Sequence, residues 1–255
     1  MEEQKVLYEK KGNIGYITLN NPKKLNALDL EVFLSLYKIL DEVDNDPEIW
    51  VVILTGAGEK AFAAGADITG FKIDYNGAKK FTKAAAAAFE KMELCSKPII
   101  SAVKGFALGG GMELTLCSDI VIASEDALFA LPESVIGTLP AWGIIRLYKT
   151  VGRIRAKEIM MTSRRLNAKE ALGWGLVNLV VPREEVMATA EKIANDIASK
   201  APLAIQLIKS AMNKDLGGQD VTYTKDATMS LFFTEDFAEG VDAFKNKRKP
   251  AFKGR

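Results

Sequence analysis

The stretch Gly105-Phe106-Ala107-Leu108-Gly109-Gly110-Gly111-Met112-Glu113-Leu114 decides how this chain folds. It follows an apolar segment, 98–103, whose composition predicts a buried strand, and its glycines predict a turn into a short helix over 111–118. Glycine is needed where the backbone adopts a positive φ or closely approaches another group. Because the N–H groups at the start of a helix have no acceptor within that helix, we predict that the turn cradles a negatively charged oxygen.

Such a cradle suits either a phosphate or a carbonyl oxygen that becomes anionic during a reaction. No lysine follows the glycines as in a phosphate-binding loop, and the next polar side chain is the carboxylate of Glu113. A carboxylate repels a bound phosphate, whereas it can transfer a proton beside a polarised carbonyl. The simpler alternative is that the glycines only join a strand to a helix, and that Glu113 complements the helix dipole.

Composition limits the chemistry open to the chain. Its 255 residues are 48% hydrophobic and carry a formal net charge of +1, which predicts one sizeable core and no general affinity for nucleic acid or anionic membranes. The chain contains no histidine, so Ser-His-Asp and Cys-His catalysis are excluded and the commonest zinc ligand is missing. Acid–base chemistry must therefore use carboxylates, lysine or tyrosine.

Cellular location is predicted from the cysteines and from the apolar segments. We interpret Cys95 and Cys117 as reduced core thiols inside helices, because their spacing is not that of a metal site. No segment reaches about 18 consecutive apolar residues, and the first residues do not resemble a signal peptide. We therefore expect a cytoplasmic protein without a membrane span.

The order of predicted elements indicates an α/β core followed by a helical region. Two strands with a turn at Gly12-Asn13 open the chain, Asp29 is predicted to cap an amphipathic helix, and strands and helices then alternate. We assign residues 1–199 to the core and residues 200–255 to the helical region. About fifty-five residues are too few for an independent core, so we expect this region to pack on another surface, such as a neighbouring subunit. Its predicted helices are 203–213, 223–233 and 235–245.

The middle of the chain is predicted to hold a loop over 137–143 and a helix over 166–174 with Asn167 as its cap. A further helix is predicted over 78–94, with lysines along one face. These lysines, and those of the basic tail over 245–255, are most simply solvated. They could instead contact an anionic ligand or RNA, but the near-neutral net charge makes RNA binding the weaker hypothesis.

Several separate motifs together resemble the crotonase superfamily of enoyl-CoA hydratases and isomerases. They are Phe62-Ala63-Ala64-Gly65-Ala66-Asp67-Ile68, the stretch 105–114, Ser118-Asp119, Pro132-Glu133 and the tail around 244–252. They occur in the family's order and cover essentially the whole chain. The resemblance implies an α/β fold of the ClpP/crotonase type, which is a spiral of ββα turns with a C-terminal helical region that mediates trimers, commonly stacked as hexamers.

The resemblance also implies where an acyl-CoA thioester binds. The backbone N–H groups of Ala66 and Gly110 would form an oxyanion hole for the thioester carbonyl and stabilise an enolate. The expected CoA and substrate contacts, with basic residues near the phosphates, are Lys24, Ala64, Ala66, Asp67, Ile68, Gly109, Gly110, Pro132 and Trp142. Neither a metal nor a redox cofactor is implied, because the CoA thioester is itself the substrate.

Two glutamates distinguish hydratases within this superfamily, and both are present as Glu113 and Glu133. The resemblance therefore implies an enoyl-CoA hydratase, a lyase of fatty acid β-oxidation that adds water reversibly to a trans-2-enoyl-CoA and gives a 3-hydroxyacyl-CoA. Glu113 would take a proton from the water that attacks C3, and Glu133 would deliver one to C2. Crowding two carboxyls into a partly dry pocket should favour protonation of one. The alternatives are a 3,2-enoyl-CoA isomerase or other acyl-CoA enolate chemistry.

One segment departs from the family pattern. The usual loop Gly-x-x-Pro-Gly-x-Gly-Gly-x-x-Arg-Leu corresponds here to residues 137–147, which are one residue shorter and carry Ala141 where glycine is usual. This loop shapes the site around the acyl group and the water. We expect Trp142 in the shortened loop to narrow the pocket toward short acyl chains.

Overall fold

The computed structural model describes residues 4–67, 75–214 and 234–255. The predicted contact Ile68 and the predicted helix over 223–233 lie outside the described residues. The strands are β1 (Val6–Lys11), β2 (Ile14–Leu19), β3 (Val51–Gly56), β4 (Ala61–Ala63), β5 (Ile99–Val103), β6 (Phe106–Leu108), β7 (Ile120–Ser124), β8 (Leu128–Ala130), β9 (Leu166–Asn167) and β10 (Leu179–Val181). The helices are α1 (Leu30–Asn45), α2 (Tyr75–Leu94), α3 (Gly110–Leu116), α4 (Ala141–Val151), α5 (Arg153–Thr162), α6 (Ala168–Gly173), α7 (Val186–Ala198), α8 (Pro202–Asn213) and α9 (Glu235–Lys245).

The strands form two sheets that are built by a repeating unit. The larger sheet has the order β1-β2-β3-β5-β7-β10 and is parallel except for the β1–β2 hairpin. The smaller sheet has the order β4-β6-β8-β9, in which β4, β6 and β8 are parallel. Each unit places one strand in the larger sheet, the next in the smaller sheet, and then a helix, as in β3-β4-α2, β5-β6-α3 and β7-β8-α4. This is the spiral of ββα turns that the resemblance implied.

Local sequence signals explain several of these elements. Gly12 adopts φ +57° in the turn between β1 and β2. Asp29 caps α1, because its side chain accepts a hydrogen bond of 2.9 Å from the backbone N–H of Val32. The apolar face of α1 is buried as its periodicity predicted, through Val32, Phe33, Leu36, Leu40 and Val43. The hairpin and the first helix are thus confirmed from their local signals.

Elsewhere, tertiary partners shift the boundaries away from the predicted ones. Leu166 pairs with Phe129 and begins β9, so the predicted helix over 166–174 starts only at Ala168, with Asn167 as its cap. Trp142 lies in the first turn of α4 and not in a loop. Cys95 and Cys117 are buried, but each lies just beyond a helix end and not inside a helix.

The basic tail is largely exposed, as expected, but its backbone is held against α9. The buried Asp236 carboxylate accepts hydrogen bonds from the backbone N–H groups of Lys253 and Gly254, at 2.7 and 2.9 Å. Arg248 forms a two-point ion pair with Glu239 at 2.6 and 2.8 Å. Part of the tail's positive charge is therefore paired within the chain, which weakens the RNA-binding hypothesis further.

A buried lysine attaches α8 to the core. The Nζ atom of Lys209 lies 2.8 Å from Asp119 Oδ2 and donates to the carbonyl oxygens of Met92 and Lys97, at 3.1 and 2.9 Å. The Asp119 carboxylate also accepts from the backbone N–H of Ile99 at 2.7 Å. This contact joins the helical region to the carboxyl end of α2 and to the larger sheet. None of the helices within the described ranges is long and apolar enough to cross a bilayer.

Replacing Lys209 with Met should destabilise the protein, because it leaves the Asp119 carboxylate and two backbone carbonyls without their cation. We expect a loss of about 3 kcal/mol in the free energy of unfolding. Urea-induced unfolding measures this loss, provided that the free energy of unfolding depends equally steeply on urea concentration in both proteins. The matched control is Lys192→Met on the exposed face of α7, for which we expect a change within about 0.5 kcal/mol. Equal stability of the two variants would contradict a structural role for Lys209.

Candidate active site

The carboxyl ends of three parallel strands meet at one edge of the smaller sheet. Residues 64–67 follow β4, Gly109 and Gly110 follow β6, and Pro132 and Glu133 follow β8. Ligand sites of α/β sheets characteristically lie outside the carboxyl ends of parallel strands. The structure therefore brings together most of the residues that the sequence singled out.

Glycines allow the chain segments at this edge to touch. A Cβ atom on Gly65, which has φ +93°, would lie 3.0 Å from the carbonyl oxygen of Leu108. A Cβ atom on Gly109, which has φ +51°, would lie 2.9 Å from Glu133 Oε1. Both positions combine a positive φ with a neighbouring atom closer than van der Waals distance, so they favour glycine for two independent reasons.

Two backbone donors lie at this contact. Within the described ranges, the N–H groups of Ala66 and Gly110 donate to no protein acceptor. Gly110 is the first residue of α3, where a helix leaves its N–H groups without intrahelical partners. The segment around Ala66 is fixed by Leu28, whose N–H donates to Gly65 at 2.8 Å and whose carbonyl oxygen accepts from Asp67 at 3.0 Å. The arrangement leaves both donors open to a ligand oxygen.

Glu113 lies in the first turn of α3 and is 7% exposed. Its Oε1 atom accepts hydrogen bonds from the backbone N–H groups of Trp142 and Gly143, both at 2.8 Å. Its Oε2 atom lies on the side of Gly110, 3.9 Å from where a Cβ atom of that glycine would stand. Burial raises the pKa of Glu113, and the two backbone donors oppose this by lowering it. One carboxylate oxygen is thus held while the other faces the glycine turn.

Glu133 approaches the same turn from β8, at the start of a 3₁₀ turn (Glu133–Ile136). The pKa of Glu133 is raised to about 7, because burial and the negative charge of Glu113 raise it more than its own backbone N–H lowers it. The Oε2 atom of Glu133 is buried without a hydrogen-bond partner among the described residues. Glu133 is therefore suited to hold a proton near neutral pH.

The remaining predicted contacts surround this pair. Lys24 is exposed, and its Nζ atom lies 2.8 Å from Asp67 Oδ2. Ala66 is exposed, whereas Ala64 and Pro132 are half-buried. Trp142 is half-buried and joins the site through its backbone N–H group. Each of these described residues lies beside the carboxyl ends of the smaller sheet or at the start of α4.

Sequence reasoning missed three residues that support the site. The amide of buried Asn26 accepts from the N–H of Asn21 and donates to the carbonyl oxygens of Ala57 and Ala61, which fixes the preceding loop against β4. Phe89 and Glu93 on α2 contact Trp142. The available signal for Glu93 was a carboxylate on the otherwise apolar face of α2. The signal for Asn26 was an amide placed between apolar residues.

Comparison with known proteins gives consistent matches over the whole chain. The model of the family described as enoyl-CoA hydratase/isomerase matches residues 9–255. The chain is 42% identical to a short-chain-enoyl-CoA hydratase of Clostridium acetobutylicum over 261 residues, which cover 100% of both chains. It is 38% identical to a crotonyl-CoA hydratase of Syntrophomonas wolfei, with 99% of each chain covered. The crystal structure of an enoyl-CoA hydratase from Bacillus anthracis superposes with a TM-score of 0.95 at 36% identity, covering 99% of this chain and 100% of that one.

Replacing Glu133 with Gln should stabilise the protein more at high pH than at low pH. The pKa of Glu133 is about 7 in the folded protein against an ordinary value of 4.5, so the folded state binds a proton that the unfolded state releases. Stability of the parent protein therefore falls as pH rises between these two values, and Gln removes that loss. The difference in Tm between Glu133→Gln and the parent should be larger at pH 8 than at pH 5. Glu90→Gln, an exposed change on α2, should show no such trend, and an equal difference at both pH values for Glu133→Gln would contradict the raised pKa.

Proposed function

The chain belongs to the enoyl-CoA hydratase/isomerase family and is an enzyme that hydrates enoyl-CoA thioesters, and we propose that Glu113 and Glu133 carry out its proton transfers. The observation that carries this proposal is the placement of two carboxyl groups around one glycine turn with unequal proton affinities. Glu113 has two backbone donors on one oxygen, whereas Glu133 has a buried oxygen without a described partner. Unequal environments of this kind separate the acid from the base in a carboxyl pair.

The thioester carbonyl is proposed to bind between the N–H groups of Ala66 and Gly110. Both groups are open among the described residues, and they belong to adjacent segments in van der Waals contact. As water adds to the enoyl group, negative charge moves onto the thioester oxygen. Preorganised donors at such an oxygen are commonly the largest contribution to catalysis, and removing one typically costs about 10²–10³-fold in kcat.

The proton transfers then follow from the two carboxyl groups. The Glu113 carboxylate takes a proton from water while the water oxygen bonds to C3, and the π electrons of the C2–C3 bond move toward the thioester oxygen to give an enolate. Glu133, as the carboxylic acid, gives its proton to C2, and the enolate becomes the 3-hydroxyacyl thioester. A proton passing from Glu113 back to Glu133 through water restores the starting state. Each step is reversible, so the same pair also catalyses dehydration.

The proposal extends to binding and assembly. Lys24 is exposed beside Asp67, where its charge suits the phosphates of CoA, and exposed Ala66 allows the adenine to lie against the backbone. We also propose a cytoplasmic homotrimer or homohexamer that needs no metal or redox cofactor and acts in fatty acid β-oxidation. Apolar side chains exposed on a single chain support assembly, and they include Val135, Ile136, Ile154, Met161, Ile208 and Met212. Light scattering on the purified protein measures the number of chains.

Both glutamates are expected to be essential for hydration. Glu113→Gln and Glu133→Gln should each lower kcat for crotonyl-CoA by about 10²–10⁴-fold, because a neutral amide neither accepts nor delivers the proton. Loss of the conjugated-enoyl absorbance measures the rate, and circular dichroism confirms that the variants fold. Glu90→Gln serves as the exposed control on α2. Near-normal turnover of either site variant would contradict the assignment.

The isomerase alternative predicts a different substrate preference. An enzyme that mainly moves a double bond would act faster on a 3-enoyl thioester than on the 2-enoyl isomer. Initial rates on the two isomers, with product identified by mass and chromatography, therefore separate the two activities. The paired glutamates favour the hydratase, because addition of water needs both a base and an acid beside the enoyl group.

Short acyl chains are the proposed substrates, because Trp142 stacks on Phe89 with ring centroids 5.7 Å apart beside Glu113. The names of two relatives, a short-chain-enoyl-CoA hydratase and a crotonyl-CoA hydratase, agree with this size. Trp142→Ala should raise the ratio of kcat/KM for an eight-carbon over a four-carbon enoyl-CoA by roughly tenfold or more. Tyr148→Ala, an exposed aromatic change on the same helix, should leave the ratio unchanged. A parent enzyme that prefers acyl chains of ten or more carbons would contradict the proposal.

A further inference from the structure

Glu93 occupies an unusual position behind the candidate active site. It lies on α2 one turn after Phe89, and its side chain is only 12% exposed. Its Oε1 atom accepts a hydrogen bond of 3.3 Å from the indole N–H of Trp142, and its Oε2 atom forms an ion pair with Arg146. Trp142 and Arg146 are one turn apart on α4. The single carboxylate of Glu93, on α2, therefore contacts both of the first two turns of α4.

The first turn of α4 is also the part that contacts Glu113. The N–H groups of Trp142 and Gly143 both donate to Glu113 Oε1 at 2.8 Å. Pro140 precedes the helix and makes no side-chain hydrogen bond to its first N–H groups. The helix therefore has no N-cap side chain of its own that would fix its first turn. The position of these two donors therefore depends on what holds the Trp142 side chain and the α4 axis.

We propose that Glu93 is a positioning residue, which holds the first turn of α4 through Trp142 and Arg146 and thereby fixes the two backbone donors on Glu113. The inference rests on the proposed role of Glu113 as the base. Glu93 does not touch the reacting atoms in this scheme, and it acts only through α4. Phe89 contributes by stacking on the same indole ring.

The charged groups around the two carboxylates are compatible with this role. Glu133 faces Glu113 across the glycine turn, and Arg146 offsets the charge of Glu93. The buried Cys117 thiol is a further titratable group near both carboxylates. Burial and the charges of Glu93 and Glu113 raise the pKa of Cys117 well above its ordinary value, so its thiol stays neutral.

The inference predicts a specific change in the pH profile. The donors on Glu113 lower the pKa of its carboxyl, so loosening them should raise that pKa and move the acidic limb of kcat to higher pH. Glu93→Ala and Trp142→Phe should each lower kcat for crotonyl-CoA by about tenfold, with KM changed less than about twofold, because small misplacements of a catalytic group are costly. Glu93→Gln should retain more activity than Glu93→Ala, because its amide oxygen still accepts the indole N–H.

The control is Glu90→Ala, which removes an exposed carboxylate from the same helix and should change neither kcat nor the acidic limb. A Glu93→Ala protein that folds and keeps the parent kcat and acidic limb would overturn the inference. A loss of kcat without a shift in the acidic limb of its pH profile would also overturn the inference, since a merely structural role produces that result. If Glu93→Ala does not fold, Trp142→Phe decides, because it removes the indole N–H but keeps an aromatic side chain, the backbone N–H and the Glu93–Arg146 pair.

The same experiment separates this inference from the proposal on which it rests. Full activity of Glu113→Gln would remove Glu113 as the base, and the positioning role would fall with it. Loss of hydration in Glu113→Gln, together with unchanged profiles in Glu93→Ala and Trp142→Phe, would overturn the positioning role alone. Loss in Glu113→Gln together with shifted acidic limbs in the other two variants would support both.

Discussion

Close backbone contact between successive turns of the spiral is the constraint on which the rest of the structure depends. A Cβ atom on Gly111 would lie 2.1 Å from the carbonyl oxygen of Ala63, and one on Gly105 would lie 2.2 Å from that of Lys60. Because backbone atoms cannot move aside as a flexible side chain can, these positions admit only glycine. The start of α3 therefore packs directly on β4, which brings the open N–H groups of Ala66 and Gly110 to one place.

In the proposed mechanism the chain carries out acid–base chemistry without histidine, because burial alters the pKa values of its carboxyl groups. Glu113 and Glu133 lie beside the same glycine turn, yet their surroundings differ in the number of donors to each carboxyl. Two N–H groups lower the pKa of Glu113 against the effect of burial, while burial raises the pKa of Glu133 to about 7. The charge of the first glutamate also favours the proton on the second. One carboxylate and one carboxylic acid can thus coexist a short distance apart.

Sequence reasoning succeeded where the signal is local or where several motifs occur in a fixed order. The turn at Gly109 and the Asp29 cap carry such local signals, and the motifs in the family's order implied the ββα spiral. The catalytic roles implied for Glu113 and Glu133 stay predictions. It failed where a distant partner decides the outcome. Leu166 enters a strand because β8 is available for pairing, and the basic tail packs on α9 because Asp236 binds its backbone. Glu93 was missed for the same reason, since its partners lie on another helix.

The start of α4 has a physical consequence for Glu113. Because α4 already begins at Ala141, the N–H groups that reach Glu113 belong to the first turn of a helix that runs to Val151. Glu113 also lies in the first turn of its own helix, α3. The positive ends of two helix dipoles are therefore directed at one buried carboxylate, and each favours its ionised form. The helix-dipole interpretation of Glu113 and its proposed role as the base are consequently not alternatives, since the dipoles help to keep a buried carboxylate ionised.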